Sequence, residues 1–188
     1  MYDCVISADV TGMVEYWRPD EPYELPNGIP GMWSFKSSTD LFDFKKSKSV
    51  PCTITLSPDG SKFSTTSLPD RQVRIFNFAS GKLSRKYDES IRAITEMQQA
   101  GTAIVKLDEM EFGRRLAVER ELNTTAGVPP EVEAGKAGSL RLFEGGAQHA
   151  AGLANANALF DESGNFLIYA SMLGIKSECE SAELRNGR

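Results

Sequence analysis

Histidine is almost missing from this chain: among 188 residues only His149 is one, in "GAQHAAG". That removes most histidine-based metal sites and leaves imidazole base catalysis to a single, poorly placed residue. Cysteine is nearly as scarce. Cys4, Cys52 and Cys179 are odd in number, scattered and never in a C-x-x-C pair. This argues against a disulfide framework or zinc site and for a reducing compartment. No apolar run approaches the roughly 20 residues that span a bilayer, and the N-terminus lacks the basic-then-apolar form of a signal peptide. There is no excess of positive charge either: 21 Lys and Arg stand against 26 Asp and Glu, for a net charge of −5. An acidic balance argues against a sequence-independent grip on phosphates. Phosphate-loop glycine patterns are absent, and no Ser, Asp or Glu stands beside a histidine, so no self-contained catalytic centre or cofactor site is legible.

What is present is a hairpin unit seen three times, in "CVISADVTGMVEYW", "FSTTSLPDRQVRIFNF" and "FLIYASMLGIKSEC". Each pairs two β-rich runs around a short turn. The second and third copies follow a matching hairpin, "TITLSPDGSKFSTT" and "ANALFDESGNFLIYA", whose turns S-P-D-G and D-E-S-G supply residues that tolerate special backbone angles. The imperfect alternation of Val73, Ile75 and Phe76 with Arg74 and Asn77 suits a strand buried between layers. After "ASGKL" the chain returns into a fourth strand, Leu83 to Tyr87. Four antiparallel strands joined by tight turns make one propeller blade, and WD-type blades repeat at about 40–45 residues. Asp9 and Asp70 hold the turn where such repeats keep an aspartate, whereas the third copy has Met172 and Leu173 there. The expected fold is all-β: a partial WD-repeat β-propeller of about three blades in an open arc, with one or two helices inserted between blades. A β-sandwich with similar hairpins is the alternative.

The blade parts fall at about 2–18, 50–87 and 156–180, with helices at about 88–100 and 108–123. In the first helix Asp88 is the expected N-cap, Ile91, Ile94 and Met97 fall at helical spacing, and Gly101 is a stop. The second, "DEMEFGRRLAVEREL", pairs Glu111 with Arg115 and Arg115 with Glu119 at i, i+4. Phe112 and Leu116 share one face while Val118 and Leu122 lie on another, so the helix is expected either to touch two surfaces or to be a solvated crossover. Residues 124–156, rich in Gly and Ala, read as a mobile loop. Leu140, Leu142 and Phe143 are a small anchor or incidental hydrophobes within it. Lys45, Lys46 and Lys48 form a basic patch better read as a solvated turn than as a nucleic-acid site.

"MEFGRRLAVEREL" between the hairpin units, "TDLFDF" at Thr39 to Phe44, and "SPDG…DRQVRIF.F.SGKL.R.YDES" with "FDESGNFLIYASMLGIK" resemble one family in particular. This family is the WD-repeat-containing cyclophilins, peptidyl-prolyl isomerases with an N-terminal propeller and a C-terminal isomerase domain. The resemblance runs from about Val5 to Lys176. Pro69 before Asp70 is unusual for it, and Ser177 to Arg188 depart from it. Cyclophilin chemistry uses an arginine beside a hydrophobic proline pocket, introduced by a motif of Phe-His-Arg type, which His149 cannot supply. The resemblance therefore implies a propeller segment without the isomerase domain: a scaffold with no catalytic centre, no cofactor and no small-molecule substrate. Its implied partners are other proteins, nuclear and spliceosomal, with no membrane and no direct nucleic-acid contact, and its implied setting is the nucleus. Interaction candidates are Asp70, Arg71, Phe112, Arg114, Arg115 and Leu116. The alternative is an independent RNA- or chromatin-associated WD-repeat adaptor with no isomerase domain.

Overall fold

The computed structural model describes residues 3–9, 11–68, 70–102, 107–125, 158–171 and 173–179. Its strands form three antiparallel sheets in chain order. β1 (Val5–Ala8) and β2 (Val14–Trp17) make the first. β3 (Val50–Leu56), β4 (Lys62–Leu68), β5 (Gln72–Asn77) and β6 (Leu83–Asp88) make a four-stranded meander. β7 (Ala158–Phe160), β8 (Phe166–Ser171) and β9 (Gly174–Cys179) make the third. Three α-helices interrupt them: α1 (Asp43–Ser47), α2 (Ile91–Gln99) and α3 (Glu109–Thr125).

Sequence decides the hairpins locally. Asp59 accepts the Ser57 hydroxyl at 2.6 Å, and the Ser61 amide and hydroxyl at 3.1 and 2.6 Å, closing the S-P-D-G-S turn between β3 and β4. Asp161 repeats the device between β7 and β8, accepting the Ser163 hydroxyl at 2.5 Å and the Phe166 amide at 2.9 Å. Asp9 does so between β1 and β2, accepting the Thr11 and Met13 amides, each at 2.9 Å. In each turn a short acid mimics a turn of backbone and satisfies amides that would otherwise be left open.

The meander is buried on both faces, which is why β5 reads as a near-continuous apolar run. One face turns Phe63 and Phe76, with rings stacked at 5.1 Å, toward Val14 and Tyr16 of the first sheet and toward Leu41 and Phe44. The other turns Val73 and Ile75 toward Ala158, Leu167 and Tyr169 of the third. Residues 18–49 strap the first face: the Trp33 amide donates to the Ala79 carbonyl, and Asp40 accepts the Leu83 amide at 3.0 Å. Gly12 and Gly81 have left-handed backbone at φ +79° and +61°, and each sits where a β-carbon would meet Ser49 carbonyl or Thr39 side chain at under 3 Å.

The expectation of about three propeller blades needs correcting. Among the described residues only the middle sheet has four strands; its neighbours have two and three. The described residues form a small β-rich domain of three antiparallel sheets with few helices, and no arc of three equal blades. Ser90, not Asp88, caps α2, accepting the Ala93 amide at 3.2 Å, while Asp88 accepts the Ser90 amide. Gly101 follows the helix at φ +67°. Pro69, Met172, Leu140, Leu142, Phe143, His149 and most of the Gly/Ala-rich loop lie outside the described residues, as do 180–188.

Candidate binding cleft and buried charge clusters

A cleft of about 360 Å³ opens where the first sheet meets the meander. Cys4, just before β1, and Ile6 of β1 form one wall. Ile54 and Leu56 of β3, with Phe78, form the other, and Asp59 and Gly60 of the turn complete the rim. Phe78 ties this wall to the aromatic core, where it stacks on Tyr16 with centroids 5.2 Å apart. Leu56 is 56% exposed, so the cleft faces water with an apolar lining. Burial pushes the Cys4 thiol up, which favours the thiol over the thiolate. The turn hydroxyls and amide hold Asp59 down at about 2, so its rim charge persists at any ordinary pH. The lining contains no arginine and no histidine.

Such a cleft can hold an apolar group and strip water from whatever it is bonded to.

Two charge clusters lie elsewhere. Arg74 is fully buried; its Nε donates to Asp43 at 2.6 Å and its terminal nitrogens reach Asp70 and Gln72, each at 2.6 Å, Ser47 at 3.1 Å, and Ser67. Its guanidinium lies 4.7 Å from the centre of the Phe44 ring. Burial works against the Asp43 carboxylate, but hydrogen bonding and charge from Arg74, with Lys86, hold it below its usual range. A buried arginine flanked by two acids and this well satisfied is a fastener between α1 and the meander, not a reagent. Glu89, 7% exposed, accepts from Tyr169 at 2.9 Å and from Ser171 and Lys176, each at 2.6 Å. It fastens the third sheet to the entry of α2. Sequence reading missed both clusters, since their partners come from up to 87 residues away.

The interaction candidates separate. Asp70 turns inward, accepting from Arg74 and from the Ser67 hydroxyl at 2.6 Å. Arg71, next to it, has left-handed backbone at φ 49°. Phe112 and Leu116 pack against Ile91, Ile94 and Leu173. Arg115 pairs with Glu111 at 3.0 Å, and Arg114 lies exposed along Met110. Val118 is 55% exposed, and the side chains of Glu119 and Leu122 lie outside the described residues. The structure thus does not gather the six into one surface. Among the described residues no three metal-ligating side chains come together, and no helix is long and apolar enough to cross a membrane.

No family model matches the chain. It is similar to "Peptidyl-prolyl cis-trans isomerase cyp15" of Rhizopus delemar, 49% identical over 93% of this chain and 24% of the relative. It is 41% identical to the human "Peptidylprolyl isomerase domain and WD repeat-containing protein 1" over 94% of the chain and 23% of that protein. "Peptidyl-prolyl cis-trans isomerase 9" of Schizosaccharomyces pombe is 34% identical over 93% of the chain and 25% of the relative. The chain therefore spans about a quarter of the length of these relatives. The similarity overturns the expectation of a scaffold or adaptor set apart from the isomerase: proteins named for that activity match nearly all of this chain. Neither the absence of an isomerase nor the statement that the chain is no enzyme is retained.

Proposed function

We propose that this chain acts in peptidyl-prolyl cis–trans isomerisation. The observation that carries the reading is the match of 93% of the chain to proteins named peptidyl-prolyl cis-trans isomerases. The test is the relaxation of an Ala-Pro peptide, whose uncatalysed exchange takes tens to hundreds of seconds. Acceleration by the purified chain above the spontaneous rate is the expected result. A relaxation rate equal to the spontaneous one at every chain concentration overturns the reading.

We further propose, from the family resemblance, that its partners are nuclear proteins of the spliceosome and that it resides in the nucleus. Crosslinking in intact cells, followed by identification of the captured proteins, tests both. Capture confined to cytoplasmic proteins would count against them.

A further inference from the structure

We propose that Ser47 is a phosphorylation site for a serine kinase that selects basic sequences, and that phosphate there unlatches α1 from the meander. Neither half draws on the isomerase reading, and the experiment measures no isomerisation.

Ser47 is the exposed last residue of α1, in the stretch "DFKKSKS". Lys45, Lys46 and Lys48 flank it, all exposed, and Lys48 ends the helix with left-handed backbone at φ 52°. A kinase that reads basic flanks with acidic side chains can reach the hydroxyl and its lysines without opening the core. Ser49 has a similar flank but is 1% exposed, so the fold itself selects Ser47. In the transfer, Ser47 Oγ attacks the γ-phosphorus of magnesium-bound ATP. The Oγ–P bond forms, the bond from that phosphorus to the bridging oxygen breaks, ADP leaves, and the hydroxyl proton passes to the kinase's base.

The consequence follows from what this oxygen already touches. Ser47 Oγ accepts from a terminal nitrogen of the buried Arg74 at 3.1 Å, and it donates to the Asp43 and Phe44 carbonyls at 2.9 and 3.2 Å. Esterification removes that proton, so both carbonyl bonds within α1 are lost. It also brings a charge of about −1.5 to −2 beside a guanidinium that Asp43 and Asp70 already share. Phosphate oxygens are strong, multiple acceptors for arginine, so Arg74 is drawn from Asp43. The cation left to Asp43 is Lys86 at 3.5 Å. Because the Arg74–Asp43 pair ties α1 to β5, and the two carboxylates repel the new anion, α1 loosens. The exposed lysines then hold the phosphate at the surface.

The full chain is incubated with protein kinase C and magnesium ATP, and phosphate is located by fragmentation mass spectrometry. Hydrogen exchange then follows the Lys46 and Ser49 amides, which donate to the Phe42 and Phe44 carbonyls. Phosphate is expected on Ser47, with none at this position in Ser47→Ala. Transfer should slow roughly tenfold when Lys45→Ala and Lys46→Ala are combined, two exposed changes that the fold tolerates. Exchange at the two amides should quicken roughly tenfold on phosphorylation, stay unchanged along β8, and slow again after phosphatase treatment. No phosphate on Ser47 of the folded chain, or phosphate on Ser49 in its place, would overturn the site. Phosphate on Ser47 with unchanged α1 exchange would overturn the unlatching.

Discussion

Glu89 shows what one residue contributes here. Three donors, from Tyr169, Ser171 and Lys176, meet on its carboxylate in a position 7% exposed. Removing one partner of a buried charge pair costs more than the pair is worth, because it leaves the other unpaired. Glu89→Ala should thus cost about 3 kcal/mol in urea unfolding, whereas Lys176→Met should cost less because Lys176 is partly solvated. Equal and negligible costs would mean that the cluster is not a fastener. At Gly12 the backbone is left-handed and an added β-carbon would lie 2.5 Å from the Ser49 carbonyl. Gly12→Ala should cost at least about 1–2 kcal/mol from backbone conformation alone. Acid dependence follows from the turn aspartates. Asp9, Asp59 and Asp161 all have carboxyls lowered by turn hydrogen bonds, Asp59 to about 2. A carboxylate depressed on folding stabilises the fold above its unfolded value of about 3.9 and loses that stabilisation as the pH falls through the folded one. Stability at Asp59 should be constant above about pH 5 and decline toward about pH 2, and Asp59→Asn should flatten that decline when melting is followed by circular dichroism.

Among the elements, hairpins were legible and their assembly was not. The S-P-D-G and D-E-S-G turns announce themselves because their chemistry lies within five residues, and so does the two-faced burial of β5. The start of α2 was missed by two residues: Asp88 and Ser90 are both good caps, and only the backbone shows which one accepts the Ala93 amide. For α3 the sequence left two contacts or none as alternatives, and the structure shows one, through Phe112 and Leu116 to Ile91, Ile94 and Leu173. The cleft was invisible because Ile6 and Leu56 meet only after the first sheet docks on the meander, and so were the Arg74 and Glu89 clusters. Phe112→Ala and Leu116→Ala should each cost about 1–2 kcal/mol, below the 2–5 kcal/mol of full burial since both are half-buried. Val118→Ala should stay within about 0.5 kcal/mol, as for exposed positions. A cost at Val118 as large as at Leu116, measured in denaturant, would show a second contact surface on α3.

At the scale of the whole molecule, and among the described residues, the meander is covered on both faces but the third sheet on only one. Leu167 and Tyr169 of β8 face Val73 and Ile75, and the alternate residues face outward. Register places Leu159 opposite Ile168 and Ala170 opposite Ile175, so these side chains share the outward face, with Ser177 opposite Ile168 as a polar neighbour. Ile175 is 82% exposed, Leu159 54%, Ile168 43% and Phe166 41%. Scattered exposed hydrophobes need no explanation, but a contiguous patch on a sheet face is costly in water and drives association. The net charge of −5 is modest, so repulsion between copies is too weak to oppose it at physiological salt, where the screening length is about 8 Å. The purified chain should therefore self-associate with rising concentration in sizing chromatography with light scattering. Ile168→Lys together with Ile175→Lys should restore a monomer, because both side chains point outward and their loss removes no core contact. A wild-type chain that stays monomeric at every concentration would mean that this face is too small to bind another copy, whatever its composition.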